Sequence, residues 1–437
     1  MRRILASIVA FFMLALPALA IDIQEVTSPK GIKAWLVENK AVPLIAMNFS
    51  FEPGASADPE GKEGLAYFLS AMLDEGAGDL DSEAFIARRD ELGMKMSFDS
   101  GLDHFAGSFQ TLSRNRDASF AHLKLALTAP RFDAEPVARI RSQLLVSAQQ
   151  NAEDPERIAS NAWMKSVFKG HPYGRDAEGS AATIKVITAD DLHAIHKRLF
   201  SRKGLTIAVV GDVDAETLKR LLDETFGSLP DTAMAVAAPP LDLAIAPGVA
   251  IIDRDIPQSI ITFGAKGILR GDPEFIPAFV ASYILGGGGF GSRLTDEVRV
   301  KRGLTYGIGY GLAPLDQAGV MMGSVGTRNE KAGEVLDVVR DVLKTYGSDG
   351  PTAQELVEAK TFLTGSYALR FDANTKIASQ LLGLQQENLG IDYVNTRNGL
   401  VDAVSLDRVK AQAKRLYDPE ALVVTVVGKP EGISATK

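Results

Sequence analysis

Near its C-terminus the chain repeats a block that first occurs in its middle. Lys197-Arg198-Leu199-Phe200 precedes Gly211 by the interval at which Lys414-Arg415-Leu416-Tyr417 precedes Gly428, an offset of 217 residues in both comparisons. Thr188 and Ser405, each placed to cap the helix that carries the basic residues, share that offset, as do residues 207–210 and 424–427. Earlier segments correspond with a shifted offset, residues 45–54 resembling 260–267. Such matches point to a duplicated unit of roughly 200 residues, far too long a period for a solenoid. The chain is therefore expected to fold as two tandem copies of one design.

The local patterns define that design. Residues 32–37 and 44–51 read as strands. Helices follow over 64–74 and 82–92, the second with Asp81 or Ser82 as cap and Gly93 as a left-handed stop. Met94, Met96 and Phe98 alternate, as do Phe105, Gly107 and Phe109, which gives an antiparallel pair. A long helical stretch from about Val137 is interrupted near Asp154-Pro155, and Thr188 to Asp191 has the form of a capping box. Antiparallel strands gathered with several helices give an α+β class, with no strict βαβ alternation. The expected division is a leader over 1–20, a first unit over 21–230, an Ala/Pro-rich linker over 231–250 and a second unit over 251–437.

Residues 1–20 carry Arg2 and Arg3, then an apolar run, then Ala18-Leu19-Ala20, the pattern of a cleaved secretory signal peptide. This leads to an expected periplasmic location. The net charge of −8 becomes −10 without the two leader arginines, which argues against nucleic acid or an anionic membrane as the main partner. The chain has no cysteine.

Two stretches carry the functional reading. The first is Gly64-Leu65-Ala66-Tyr67-Phe68-Leu69-Ser70-Ala71-Met72-Leu73-Asp74. It resembles the metal-binding helix of the pitrilysin/insulinase zinc peptidases, the inverzincins, whose motif is His-x-x-Glu-His. In that helix two histidines one turn apart hold zinc and the glutamate activates the metal-bound water. Here the two histidine positions hold Tyr67 and Ala71, and the glutamate position holds Ser70. The family's third ligand, a glutamate eight residues before a proline, falls on Ser147 when counted back from Pro155. The resemblance therefore implies a peptidase fold whose own zinc site, at Tyr67, Ser70, Ala71 and Ser147, is degenerate.

The second stretch runs from Gly286 through Gly287, Gly288 and Gly289 to Ser292-Arg293-Leu294, then Arg299 and Tyr306. It resembles the family's glycine-rich loop, its Ser-Arg-Leu segment and an Arg/Tyr pair spaced by seven. In the family that pair faces the zinc, binds the substrate carbonyl and stabilises the oxyanion. The resemblance implies that Arg299 and Tyr306 serve a catalytic centre completed by another chain, that Gly287, Gly288 and Gly289 lie along a bound peptide, and that zinc resides in a partner subunit of the same family. It covers nearly all of the mature chain and implies two α+β units forming half of a clamshell. A different class, a stand-alone peptide-binding or assembly protein without hydrolytic role, uses the same clamshell.

Blander readings accompany these. Arg299 can pair with Asp296 or Glu297, and Tyr306 can open an alternating strand with Ile308, Tyr310 and Leu312. Gly286, Gly288 and Gly291 match G-x-G-x-x-G, but no parallel βαβ unit accompanies them. His193 and His196 share a helix face without a second ligand arm, His171 belongs to a turn, and His104 and His122 have no partner visible in the sequence.

Overall fold

The computed structural model describes residues 21–232 and 234–436. The expected leader, residues 1–20, lies outside the described residues. Six strands form the first sheet: β1 (Gln24–Thr27), β2 (Lys33–Glu38), β3 (Leu44–Phe51), β4 (Lys95–Ser100), β5 (Phe105–Leu112) and β6 (Thr206–Gly211). Their order is β1-β2-β6-β3-β5-β4. The second sheet comprises β7 (Gly248–Asp253), β8 (Gln258–Lys266), β9 (Ile308–Pro314), β10 (Gly319–Arg328) and β11 (Val423–Gly428), in the order β7-β11-β8-β10-β9. Each sheet has one parallel pair, β2 with β6 and β7 with β11, and its remaining pairs are antiparallel. The α+β class and the two-unit design are as the sequence predicts.

The repeat is visible down to backbone angles. β6 and β11 end in Gly211 and Gly428, at φ 141° and 138°. A Cβ on Gly211 would lie 2.1 Å from the Leu44 carbonyl oxygen, and one on Gly428 would lie 2.8 Å from Ser259 Oγ. Only glycine suits such close approach at positive φ. In one place the sequence alignment slips by a residue. It sets Ile45 against Ile260, yet Val210 pairs with Ala46 while Val427 pairs with Ile260. Ile45 faces the first core, whereas Ile260 occupies the position of Ala46 on the opposite face. The ladder fixes register, and a shift of one residue exchanges faces.

β6 and β11 do not alternate in polarity because both faces of each sheet are covered. The inner faces pack on their own unit's helices. The outer faces are covered by exchange. The second unit's helix Asn374–Gln386 places Ile377, Ala378, Leu381 and Leu382 on Trp35, Ala46, Ala208 and Val210. Reciprocally, the first unit's helix Pro155–Val167 places Trp163 and Val167 against Val320 and Val423. Of the expected linker, 231–250, residues 234–247 carry no helix or strand and their Ala238 and Leu243 join the Trp163 cluster, whereas β7 already begins at Gly248, three residues before the expected second unit at 251.

One buried histidine, His122, and one half-buried histidine, His196, weaken the fold in acid. His122 stacks on Phe85 with ring centroids 3.9 Å apart, and His196 Nε2 lies 2.9 Å from the Leu127 carbonyl oxygen. Burial, aided by Arg88 for His122 and His193 for His196, pushes both imidazoles down to about 4. Unfolding raises them to the ordinary value near 6.5, so the unfolded chain binds protons that the folded one refuses. Stability is therefore complete above about pH 6.5 and lost as pH falls towards 4, by on the order of 2–3 kcal/mol per ring at full titration. Urea titrations at pH 7.5 and 5.0 check this. His122→Phe and His196→Gln should each reduce the difference between the two pH values, and an unchanged difference would contradict the assignment.

Candidate functional site

The stretch that resembles the zinc helix is helical only over Leu65–Ser70, and a turn follows where the sequence pattern extends helix to residue 74. Its start is buried and firmly held. Asp58 accepts amide hydrogen bonds from Gly64 (2.9 Å), Leu65 (3.0 Å) and Ala66 (3.0 Å). Arg175 donates to the Asp58 and Ser56 carbonyls at 2.9 and 3.1 Å. Burial pushes the Asp58 carboxyl up to about 7, against the pull of those amides.

The residues at the metal positions have other commitments. Ser70 Oγ donates to the Tyr67 carbonyl at 2.7 Å. Burial, with the charges of Glu178 and Asp99, raises the Tyr67 phenol, so phenolate is disfavoured there. Glu178, the neighbouring carboxylate, accepts from Arg157 and from Asn151 Nδ2 (2.9 Å). Ala71 offers a methyl group. Ser147 lies on the helix Ala134–Glu153, as the counting rule requires, and offers a neutral hydroxyl. A catalytic zinc site needs about three imidazole, thiolate or carboxylate ligands. A neutral phenol, a spent hydroxyl, a methyl and a serine do not fit zinc.

The second stretch is built as a platform. The backbone winds through a wide, π-helical turn over Tyr283–Gly287, a tight turn over Gly289–Gly291 and a second π-helical turn over Thr295–Val300. A Cβ on Gly286 would lie 2.6 Å from the Tyr310 carbonyl oxygen, so this glycine lets the turn rest on β9. Gly287 and Gly289 are exposed, whereas Gly288 packs on the Tyr283 ring, 3.2 Å from where its Cβ would be.

The Ser-Arg-Leu segment anchors this platform. Ser292, fully buried, donates to the Gly289 carbonyl at 3.0 Å. Arg293 forms a two-pronged ion pair with Glu355 (2.5 and 2.7 Å) and lies over the Tyr346 ring. Burial opposes the Glu355 charge, but Arg293 together with the Thr352 amide and hydroxyl outweighs it and holds the carboxyl at about 2. Leu294 is fully buried.

Arg299 emerges from the second π-helical turn, partly exposed. Asp296 and Glu297 are held by Lys301 at 2.8 and 2.6 Å, and Glu297 also by Arg302. Tyr306 is 88% exposed. The predicted strand begins two residues later, at Ile308, and its Ile308 and Tyr310 point into the core. Tyr306 thus lies on the connection ahead of the strand, where nothing in the core needs an aromatic ring.

The remaining histidines are mostly structural. His171 receives the Tyr173 amide at 3.2 Å and faces the Pro239 carbonyl oxygen at 2.9 Å. Asp191 beside His193 binds Thr188 and Lys62. The glycine run is followed by the antiparallel strands β9 and β10, which disposes of a dinucleotide fold. One group escaped sequence reasoning. His104 meets Glu52 and Asp316, residues far apart in the chain and without any shared motif.

A two-sheet α+β fold with exchanged helices, a degenerate metal helix and an anchored glycine platform defines a class: a zinc-peptidase scaffold without its metal ligands. Comparison with known proteins agrees. Residues 36–180 match the insulinase (peptidase family M16) model and residues 187–363 the peptidase M16 inactive-domain model, so the chain belongs to the M16 family. It is 25% identical to the non-peptidase homologue YmxG of Helicobacter pylori over 382 residues, 87% of each chain. It is also 25% identical to an uncharacterized zinc protease of Mycobacterium bovis over 407 residues, 92% of each. A solved peptidase M16 inactive domain from Pseudomonas fluorescens superposes with TM-score 0.88 at 29% identity, covering 95% of this chain and all of that one. A Helicobacter pylori protease structure shares the fold, with TM-score 0.83 at 16% identity, covering 93% of this chain and 99% of that one. Within the M16 family this chain carries Tyr67, Ser70 and Ala71 where the zinc-helix motif has its two histidines and glutamate.

Proposed function

We propose that this protein is the zinc-less subunit of a two-chain periplasmic M16 peptidase. The observation that carries the reading is a contrast between the two units. The metal positions of the first are filled by groups that cannot ligate, while the second keeps a buried, ion-paired platform that presents Arg299 and the 88%-exposed Tyr306. Burial and anchoring go into a loop whose outermost aromatic residue does nothing for the core.

In the complex this chain closes over a family member that holds zinc and the general base. An extended peptide lies between them along Gly287 and Gly289. Arg299 and Tyr306 donate to the scissile carbonyl oxygen as negative charge develops on it, where fixed donors are most effective. The names of the relatives, a non-peptidase homologue and an inactive domain, support the absence of independent activity.

Affinity capture of the full chain from its native organism tests the assignment. The expected co-purifying partner is an exported M16 protein with an intact His-x-x-Glu-His, in equal amount. Peptide binding by the isolated chain with no such partner would instead favour the stand-alone peptide-binding role.

A further inference from the structure

We propose that Glu52, His104 and Asp316 form a binding site for a divalent transition-metal cation of the zinc type, one that joins the two units and lies apart from the degenerate peptidase position. Three segments bring the residues together. Glu52 follows the end of β3, His104 sits in the turn between β4 and β5, and Asp316 lies in the turn between β9 and β10 of the second unit. All three line a cavity of about 970 Å³.

Their distances suit an ion. His104 Nε2 is 3.5 Å from Asp316 Oδ2, and Nδ1 is 3.8 Å from Glu52 Oε1. One ligand atom can be chosen from each residue so that all lie within 4.8 Å of one another. Ligands about 2.1 Å from a tetrahedral zinc stand roughly 3.4 Å apart, the His–Asp spacing already present. The Glu52 side chain is 47% exposed and can swing to the same ring nitrogen. The cavity supplies water for the remaining position.

The electrostatics call for a cation. Asp103, next to His104, adds a third carboxylate, which receives the Tyr173 hydroxyl and the Asp316 amide (3.1 Å) and so fixes the Asp316 turn. The basic residues on the cavity wall are engaged elsewhere: Lys266 with Asp242, Arg270 with Glu387 and Arg415 with Asp272. His104 Nδ1 is buried without a hydrogen-bond partner. The mixed imidazole and carboxylate donors favour a zinc-like ion over magnesium or calcium.

This inference does not depend on the partner assigned above, and its test needs no peptidase activity. The mature chain, stripped with chelator and dialysed, is titrated with Zn²⁺ by calorimetry. About one equivalent is expected to bind, and His104→Ala and Asp316→Asn should each weaken that binding at least tenfold. Ser147→Ala, at the peptidase position, should leave it unchanged. Zinc should also raise the melting temperature of the wild type and not that of the two cluster variants. Circular dichroism in EDTA confirms folding, and Asp316→Asn, on a partly exposed turn, carries the test should His104→Ala unfold. No saturable binding at millimolar zinc, or equal affinity in wild type and both cluster variants, overturns the proposal.

Discussion

Tyr306→Phe in the assembled two-chain enzyme is expected to lower kcat/KM by about 10²-fold, and Arg299→Ala by 10²–10³-fold, the range for removal of one donor to a developing oxyanion. The loss should fall mainly on kcat for Tyr306, because a phenol hydroxyl aimed at the oxyanion contributes most when charge is greatest. Arg299→Ala should also raise KM, since the guanidinium meets the ground-state carbonyl as well. Arg299→Lys should recover only part of the loss, because an ammonium lacks the planar fork. Exposure separates these effects from folding. Tyr306 is 88% exposed, so Tyr306→Phe should change the stability of the chain by less than about 0.5 kcal/mol. A large kinetic defect with unaltered urea unfolding is the signature of a donor and not of a packing residue.

Trp163→Ala should be among the most damaging single changes to the fold, costing ~3–5 kcal/mol. The indole is fully buried, and its Nε1 donates to the Val423 carbonyl of the other unit at 3.0 Å. The ring occupies space that a Cβ on Gly264 would need, 2.4 Å from Cζ2. Truncation leaves a large cavity and removes the side-chain hydrogen bond between the units. Trp163→Phe should fall between wild type and Trp163→Ala, because the ring contact is partly kept while the hydrogen bond is lost. The chain has two tryptophans, and both sit in clusters where the units exchange helices. In Trp163→Ala, fluorescence therefore reports Trp35 alone, at the intact exchange. If that signal and circular dichroism lose their common urea midpoint, the exchange is what makes the two units unfold together.

What the sequence disclosed follows from how local each signal is. The capping box at Thr188 and the strand ends at Gly211 and Gly428 depend on neighbours a few residues away, and the structure has them as read. It selects Asp81 over Ser82 as the other cap, and only the earlier part of the repeat is out of register, by one residue. The family motif was legible for the same reason, since both its kept and its lost residues lie in short runs. Tandem order, by contrast, carries no sign that Asn374–Gln386 crosses to the first sheet. Its apolar residues fit any buried helix, and only the three-dimensional arrangement selects the Trp35 face. The role of Arg293 was also hidden, because Glu355, the ion-pair partner that makes it an anchor, lies 62 residues away. The same distance problem concealed the meeting of His104 with Asp316.

The central claim is that this chain retains one half of a divided catalytic centre. Mixing tests it most directly: the purified chain, a zinc-bearing family partner from the same organism and an extended fluorogenic peptide library, assayed separately and together. The account predicts no hydrolysis by this chain, little by the partner, and activity that rises to a plateau at one equivalent of this chain. Full activity of the partner alone, unaffected by added chain, would contradict it.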